Sequence, residues 1–87
     1  MYQVEFTPGA ESDLSRLDAP RAQRVFKRLR WQAEHFEALR PEPLTGQWQD
    51  VFKLRVGDHR VLYTYDQAKR RIVVHFIRHR CEVYKIK

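Results

Sequence analysis

The run KLRVGDHRVLY, Lys53 to Tyr63, sets three cations around a Gly57-Asp58 pair. Two short stretches rich in β-branched and aromatic residues flank that pair, the pattern of a β-hairpin. With Gly57 and Asp58 as the loop, Val56 pairs with His59. Arg55 then lies directly opposite Arg60, on the face that also carries Lys53. Like charges so placed repel. They become favourable when a ligand with several negative groups lies across them, as nucleic-acid phosphates do. Arg78, His79, Arg80 and Tyr84 follow near the end of the chain. Lys, Arg, His and Tyr together suffice for one reaction on RNA, attack of a ribose 2′-hydroxyl on its own neighbouring phosphate. That reaction needs a group to take the 2′ proton, charge on the transition state to be stabilised, and a proton for the 5′ leaving oxygen. Lys53 is a candidate base, the arginines clamp the non-bridging oxygens, and Tyr84 or His79 handles a proton or stacks on a base.

The rest of the composition narrows the class. The chain has 87 residues and a formal net charge of +6, which suits one domain and a polyanionic partner. Cys81 is the single cysteine, so no internal disulfide forms and no cysteine-based zinc site is expected. His75 and His79 lie about 13 Å apart if extended, too far to share a metal. No metal or other cofactor is expected. MYQVEFTPGAE lacks the apolar run of a signal peptide, and no stretch approaches the roughly 20 apolar residues of a spanning helix. A cytoplasmic protein with no membrane association is the expectation.

The elements that must hold the cations follow from periodicity. Tyr2 to Phe6 alternates as a strand. Thr7-Pro8 opens a first helix carrying Ala10, Leu14 and Leu17. Asp18 caps a second, in which Ala22, Val25, Phe26, Leu29, Ala33 and Phe36 form one apolar stripe. Arg21, Arg24, Lys27, Arg28 and Arg30 fill the remainder as a solvated face, with Trp31 opposite the stripe. Leu39 to Asp50 is a Pro-containing connector. Val51–Val56, His59–Tyr65 and Arg71–Arg80 read as three strands, and CEVYKIK extends or leaves the sheet. The fold class is α+β: an N-terminal strand, two helices, then an antiparallel β-meander of three strands in one sheet with the helices on one face. Phe52, Leu54, Val56, Val61, Tyr63 and Tyr65 face the helices. Lys53, Arg55, Arg60 and Leu62 face away. An odd loop, Asp66 to Arg70, adds Val74, Phe76, Arg78 and Arg80 to the cationic face; an even loop or a bulge reverses this.

Three stretches resemble the RelE/ParE toxin superfamily, close to the RelE-like messenger-RNA interferases. PLTGQW, Pro43 to Trp48, is similar to the family's Leu-x-Gly segment. KLRVGDHRVLYTYD, Lys53 to Asp66, is similar to its Leu-Arg-Val-Gly-Asp-aromatic-Arg-Val-x-Tyr block. RHRCEVYK, Arg78 to Lys85, is similar to its terminal signature. The resemblance covers residues 1–87 as one RelE-like toxin domain. It implies a type II toxin whose partners are a cognate antitoxin, messenger RNA and the ribosome, where it cuts the message in the A site without a metal. Lys53, Arg60, Arg80 and Tyr84 match the catalytic positions, with Arg55, Arg78 and His79 as RNA-binding neighbours. Val51 stands where some relatives carry a second lysine, and Arg78 where glycine is common. The alternatives are a ParE-like DNA gyrase poison without nuclease activity and an attenuated toxin that only binds its antitoxin.

Overall fold

The computed structural model describes residues 1–44 and 50–83. In chain order the elements are β1 (Gln3–Phe6), α1 (Pro8–Ser15), α2 (Ala19–His35), a 3₁₀ turn (Phe36–Ala38), β2 (Glu42–Pro43), β3 (Phe52–Val56), β4 (His59–Asp66) and β5 (Arg71–His79). Thr7 accepts a hydrogen bond from the Ala10 N–H at 3.1 Å, with Pro8 behind it in the first turn of α1. Asp18 caps α2 in the same way through the Arg21 N–H at 2.9 Å. The expected α+β class is the observed one.

The five strands lie in the order β1-β5-β4-β3-β2. β1 runs parallel to β5 and the other neighbours are antiparallel. Two details add to the expected meander. Within the connector Glu42 and Pro43 are extended and pair with β3, because prolines at and before this pair favour that backbone region. The last strand stops at His79, one residue short of Arg80. Val25, Leu29, Ala33 and Phe36 pack on Leu54, Val56, Val61, Tyr63, Ile72, Val74 and Ile77. Phe26 was expected in that core. Instead it is 48% exposed beside the edge strand β1, its ring 5.9 Å from Phe6.

The hairpin register is as expected, with Val56 opposite His59 and Arg55 opposite Arg60. Gly57 has φ 60°, the left-handed region that glycine enters without steric cost at the first position of a tight hairpin. The next connection differs from the odd loop. Asp66 pairs with Arg71, leaving the even loop 67–70, and Val74 therefore pairs with Tyr63 on the helix side. The register then shifts at Leu62/Tyr63, where His75 is the extra residue, and Phe76 and Arg78 return to the opposite face. The bulged His75 is tied on both sides: its Nε2 lies 2.9 Å from Thr64 Oγ1, and its carbonyl accepts from Thr7 Oγ1 at 3.4 Å. Loop parity and bulge each flip the face, so beyond His75 they cancel.

β1 stops pairing at Val74, and α1 covers the edge of β5 from there. The buried Asp13 carboxylate accepts the Ile77 N–H at 2.9 Å and the Arg78 Nε–H at 3.1 Å. Asp13→Ala leaves a buried donor unpaired, which costs about 1–3 kcal/mol. We expect urea unfolding to show a loss of that size, and a smaller one for Asp13→Asn, which keeps an acceptor for Ile77.

Candidate active site

Cross-strand pairing lines up the cations. Arg55, Arg60 and Arg78 lie directly opposite one another on β3, β4 and β5, on the face turned away from the helices. The next row on that face reads Glu42, Lys53, Leu62, Phe76. Beneath them Leu62, Leu44 and Val83 are buried, with Val51 and Phe76 packed against them. The cationic face thus has its own apolar floor.

Residues 80–83, which follow β5, neither extend the sheet nor depart from it. The Arg80 N–H donates to the Asp58 carbonyl at 2.7 Å, which brings Arg80 to the hairpin turn. Glu82 N–H donates to the His79 carbonyl at 2.8 Å and Cys81 N–H to His79 Nδ1 at 3.2 Å. This turn folds Val83 back onto Leu62.

The cations are drawn to acceptors at different places around the face, which answers how like charges share it. Lys53 Nζ lies 3.4 Å from Glu42 and Arg55 Nη2 3.9 Å from the same oxygen. Arg78 pairs with Asp13 and stands with its guanidinium 5.3 Å from the Phe76 ring centre. Arg80 lies 3.9 Å from Asp58. Arg60 curls to the hairpin turn, where its Nη1 donates to the Gly57 and His59 carbonyls at 3.1 and 3.0 Å; among the described residues no carboxylate pairs with it. The Arg55–Glu42 and Arg80–Asp58 pairs are exposed and contribute about 0–1 kcal/mol each, so phosphate oxygens can replace them, whereas Asp13, which is buried, holds Arg78 more firmly.

Lys53, Arg55, Arg60 and Arg78 are therefore brought onto one face, and Arg80 meets Arg60 at the hairpin turn. His79 is set apart. As the neighbour of Arg78 in a strand it points to the helix side, where its ring meets that of His59 at 5.7 Å. Its part is to hold the C-terminal turn through Cys81. Tyr84 and most of PLTGQW lie outside the described residues. Three acids were missed. Glu42, Asp13 and Asp58 come from three separate elements, and only the extended Pro-Glu-Pro backbone of Glu42 left a trace in the sequence. Tyr63 is no substitute proton donor, since burial pushes its phenol up to about 12 while Gln32 bonds its oxygen in the core. Among the described residues no three acids, histidines or cysteines gather as metal ligands would, and no helix is long and apolar enough to cross a membrane.

A family model described as the ParE toxin of the type II toxin–antitoxin system, parDE, matches residues 4–84. Among solved structures, the chain is similar to the toxin–antitoxin complex RelBE2 of Mycobacterium tuberculosis, at 25% identity, TM-score 0.79, over 90% of this chain and 96% of that one. The isolated E. coli RelE toxin shares the fold at 21% identity and TM-score 0.75, over 98% and 93%. The RelB–RelE complex of Methanococcus jannaschii shares it at 15% identity and TM-score 0.70, over 95% and 98%. No curated protein matches by sequence.

Burial, then His79 and Arg21, lowers the pKa of His59 from its ordinary 6.5, against a smaller pull upward from Asp58 and Asp18. The unfolded imidazole therefore takes up its proton at a higher pH than the folded one. Acidification favours the unfolded chain, and stability held above pH 6.5 is lost as the pH falls through and below that value. Urea midpoints measured from pH 8 down to pH 5 (roughly the range in which histidine titrates) are expected to fall, and His59→Phe to flatten that slope.

Proposed function

The chain belongs to the ParE toxin family of type II toxin–antitoxin systems, within the RelE/ParE superfamily, and we propose that it is a metal-independent endoribonuclease that cuts messenger RNA in the ribosomal A site. The observation that carries this reading is the row Arg55–Arg60–Arg78 over an apolar floor, with the Glu42–Lys53 pair one row away and Arg80 at its end.

Arg60 is the natural phosphate clamp, because it gives up only carbonyl contacts on the turn when an anion arrives. Arg80 and Arg78 add charge where it grows on the non-bridging oxygens. The 2′-oxygen forms a bond to phosphorus as the P–O5′ bond breaks, giving a 2′,3′-cyclic phosphate and a 5′-hydroxyl. The carboxylate of Glu42, or Lys53 as its neutral amine after passing its own proton on to Glu42, receives the 2′ proton; both stand on the row next to the clamp. Tyr84 is proposed to stack on the nucleotide or to pass a proton to the leaving oxygen. Several solved relatives are complexes of a toxin with its antitoxin, and an acidic antitoxin segment would complement the net charge of +6. The proposed site of action is the cytoplasm.

The family model matched is that of the parDE toxin, which favours a second reading, a poison of DNA gyrase. Brief induction followed by primer extension separates the two. We expect growth arrest and cuts within translated codons that leave 2′,3′-cyclic phosphate and 5′-hydroxyl ends, the products of attack by the 2′-oxygen rather than by metal-activated water. Arg60→Ala, Arg80→Ala and Lys53→Ala should each lower the cleavage rate, the clamp arginines by about 10²–10³-fold as for a lost transition-state donor. Intact message together with accumulated gyrase–DNA cleavage complexes would establish the poison instead.

A further inference from the structure

The basic face of α2 is not uniform. Arg21 is paired with Asp18 at 2.9 Å and Arg30 with Glu34 at 3.6 Å. Between them Arg24, Lys27 and Arg28 have no carboxylate within 4.0 Å among the described residues. With Trp31 they occupy positions i, i+3, i+4 and i+7, one stripe of the helix. Trp31 is 42% exposed, its ring stacked on His35 at 4.5 Å and approached by the Arg28 guanidinium at 5.0 Å.

This stripe faces a groove that leads to the cationic sheet face. One hollow of about 390 Å³ lies between Arg24, Lys27, Arg28 and Trp31 on the helix and Arg55, Val56 and Gly57 on the hairpin. A second, of about 280 Å³, shares Arg28, Trp31 and Arg55 and continues past Arg40 to Lys53 and Glu42. Arg24 Nη1 sits against Gly57, 3.2 Å from where a β-carbon there would lie, and the carbonyl of Gly57 receives Arg60 from the other side. The groove and the clamp thus meet across one turn. Six cations, Arg24, Lys27, Arg28, Arg40, Lys53 and Arg55, stand along the two hollows, with Glu42 as the one acid lining them among the described residues, and an indole lies where they join.

We propose that this groove is a second RNA-binding site, taking single-stranded nucleotides that adjoin the phosphate held by Arg60; this rests on the ribonuclease reading above. Arg24, Lys27 and Arg28 meet successive phosphates. Trp31 offers a ring plane to a base, and a base that replaces the Arg28 guanidinium over the indole frees that cation for the backbone. Phosphate charge and a stacking plane side by side are how sequence-tolerant single-strand sites are built.

The test uses an RNA of about 12 nucleotides, within the span such sites cover, 2′-O-methylated so that it cannot be cut. Binding to the whole protein is followed by fluorescence anisotropy over a series of KCl concentrations. Arg24→Ala/Lys27→Ala/Arg28→Ala should reduce the salt slope by about 2, at roughly 0.7 per phosphate contact on a single strand. Trp31→Ala should weaken binding roughly 5- to 150-fold, the range measured for one stacked base. In a Trp48→Phe background, RNA should quench the remaining indole. An unchanged slope and affinity, or polyglutamate binding equal to that of RNA and indifferent to Trp31, overturns the proposal. Arg60→Ala separates the two readings: it should lower message cleavage by about 10²–10³-fold while keeping the Trp31-dependence of binding. A wild-type protein that binds in this way but cuts no message refutes the nuclease and leaves the groove standing. A protein that cuts message and binds independently of Trp31 does the reverse.

Discussion

Three guanidinium groups in one register row are the constraint around which this sheet is arranged. Neighbouring strands stand about 4.8 Å apart, and two unit charges at about 4 Å repel by roughly 1 kcal/mol in water and 4 at an effective dielectric of 20. In the free protein that repulsion is spread by sending each side chain elsewhere: Arg55 toward β2, Arg60 to the hairpin turn, Arg78 round the sheet edge to α1. Exposed pairs return at most about 1 kcal/mol each. The face therefore stays in partial debt to an anion, and a phosphate placed centrally satisfies several donors at once.

The bulge at His75 makes this row geometrically available. Without it, the even loop would keep Arg78 on the helix side, beneath α1, and leave Arg60 facing an apolar residue. The extra residue lets one strand serve two purposes. Ile72 and Val74 fill the main core ahead of the bulge, and Phe76 and Arg78 build the cationic face beyond it. Contacts from Thr64 and Thr7 fix the bulged residue from opposite neighbours.

Local chemistry was legible in the sequence and long-range geometry was not. The Gly57-Asp58 turn fixed its hairpin register because glycine determines the backbone there, and both helix caps were readable for the same local reason. The face of Val74 stayed open between an odd and an even loop because parity of a polar loop leaves no mark in composition. Phe26 fits a helical stripe, yet the sheet beneath it is too narrow to cover it. The parallel pairing of β1 with β5 depends on both ends of the chain at once. The site divides along the same line. Its cations could be placed from the period of the strands, whereas Glu42, Asp13 and Asp58 reach them from a connector, a helix and a turn.

The C-terminal turn joins packing to chemistry. Val83 is 2% exposed and seals the apolar floor against Leu62, which is fully buried. That small burial, aided by the Asp58 carbonyl and His79 Nδ1, sets where Arg80 stands. Because the main core lies on the other side of the sheet, the floor has little apolar area to spare. The position of Arg80 is thus governed by the smaller of the two cores, and changes at Val83 or Leu62 act on the proposed anion site before they act on the fold.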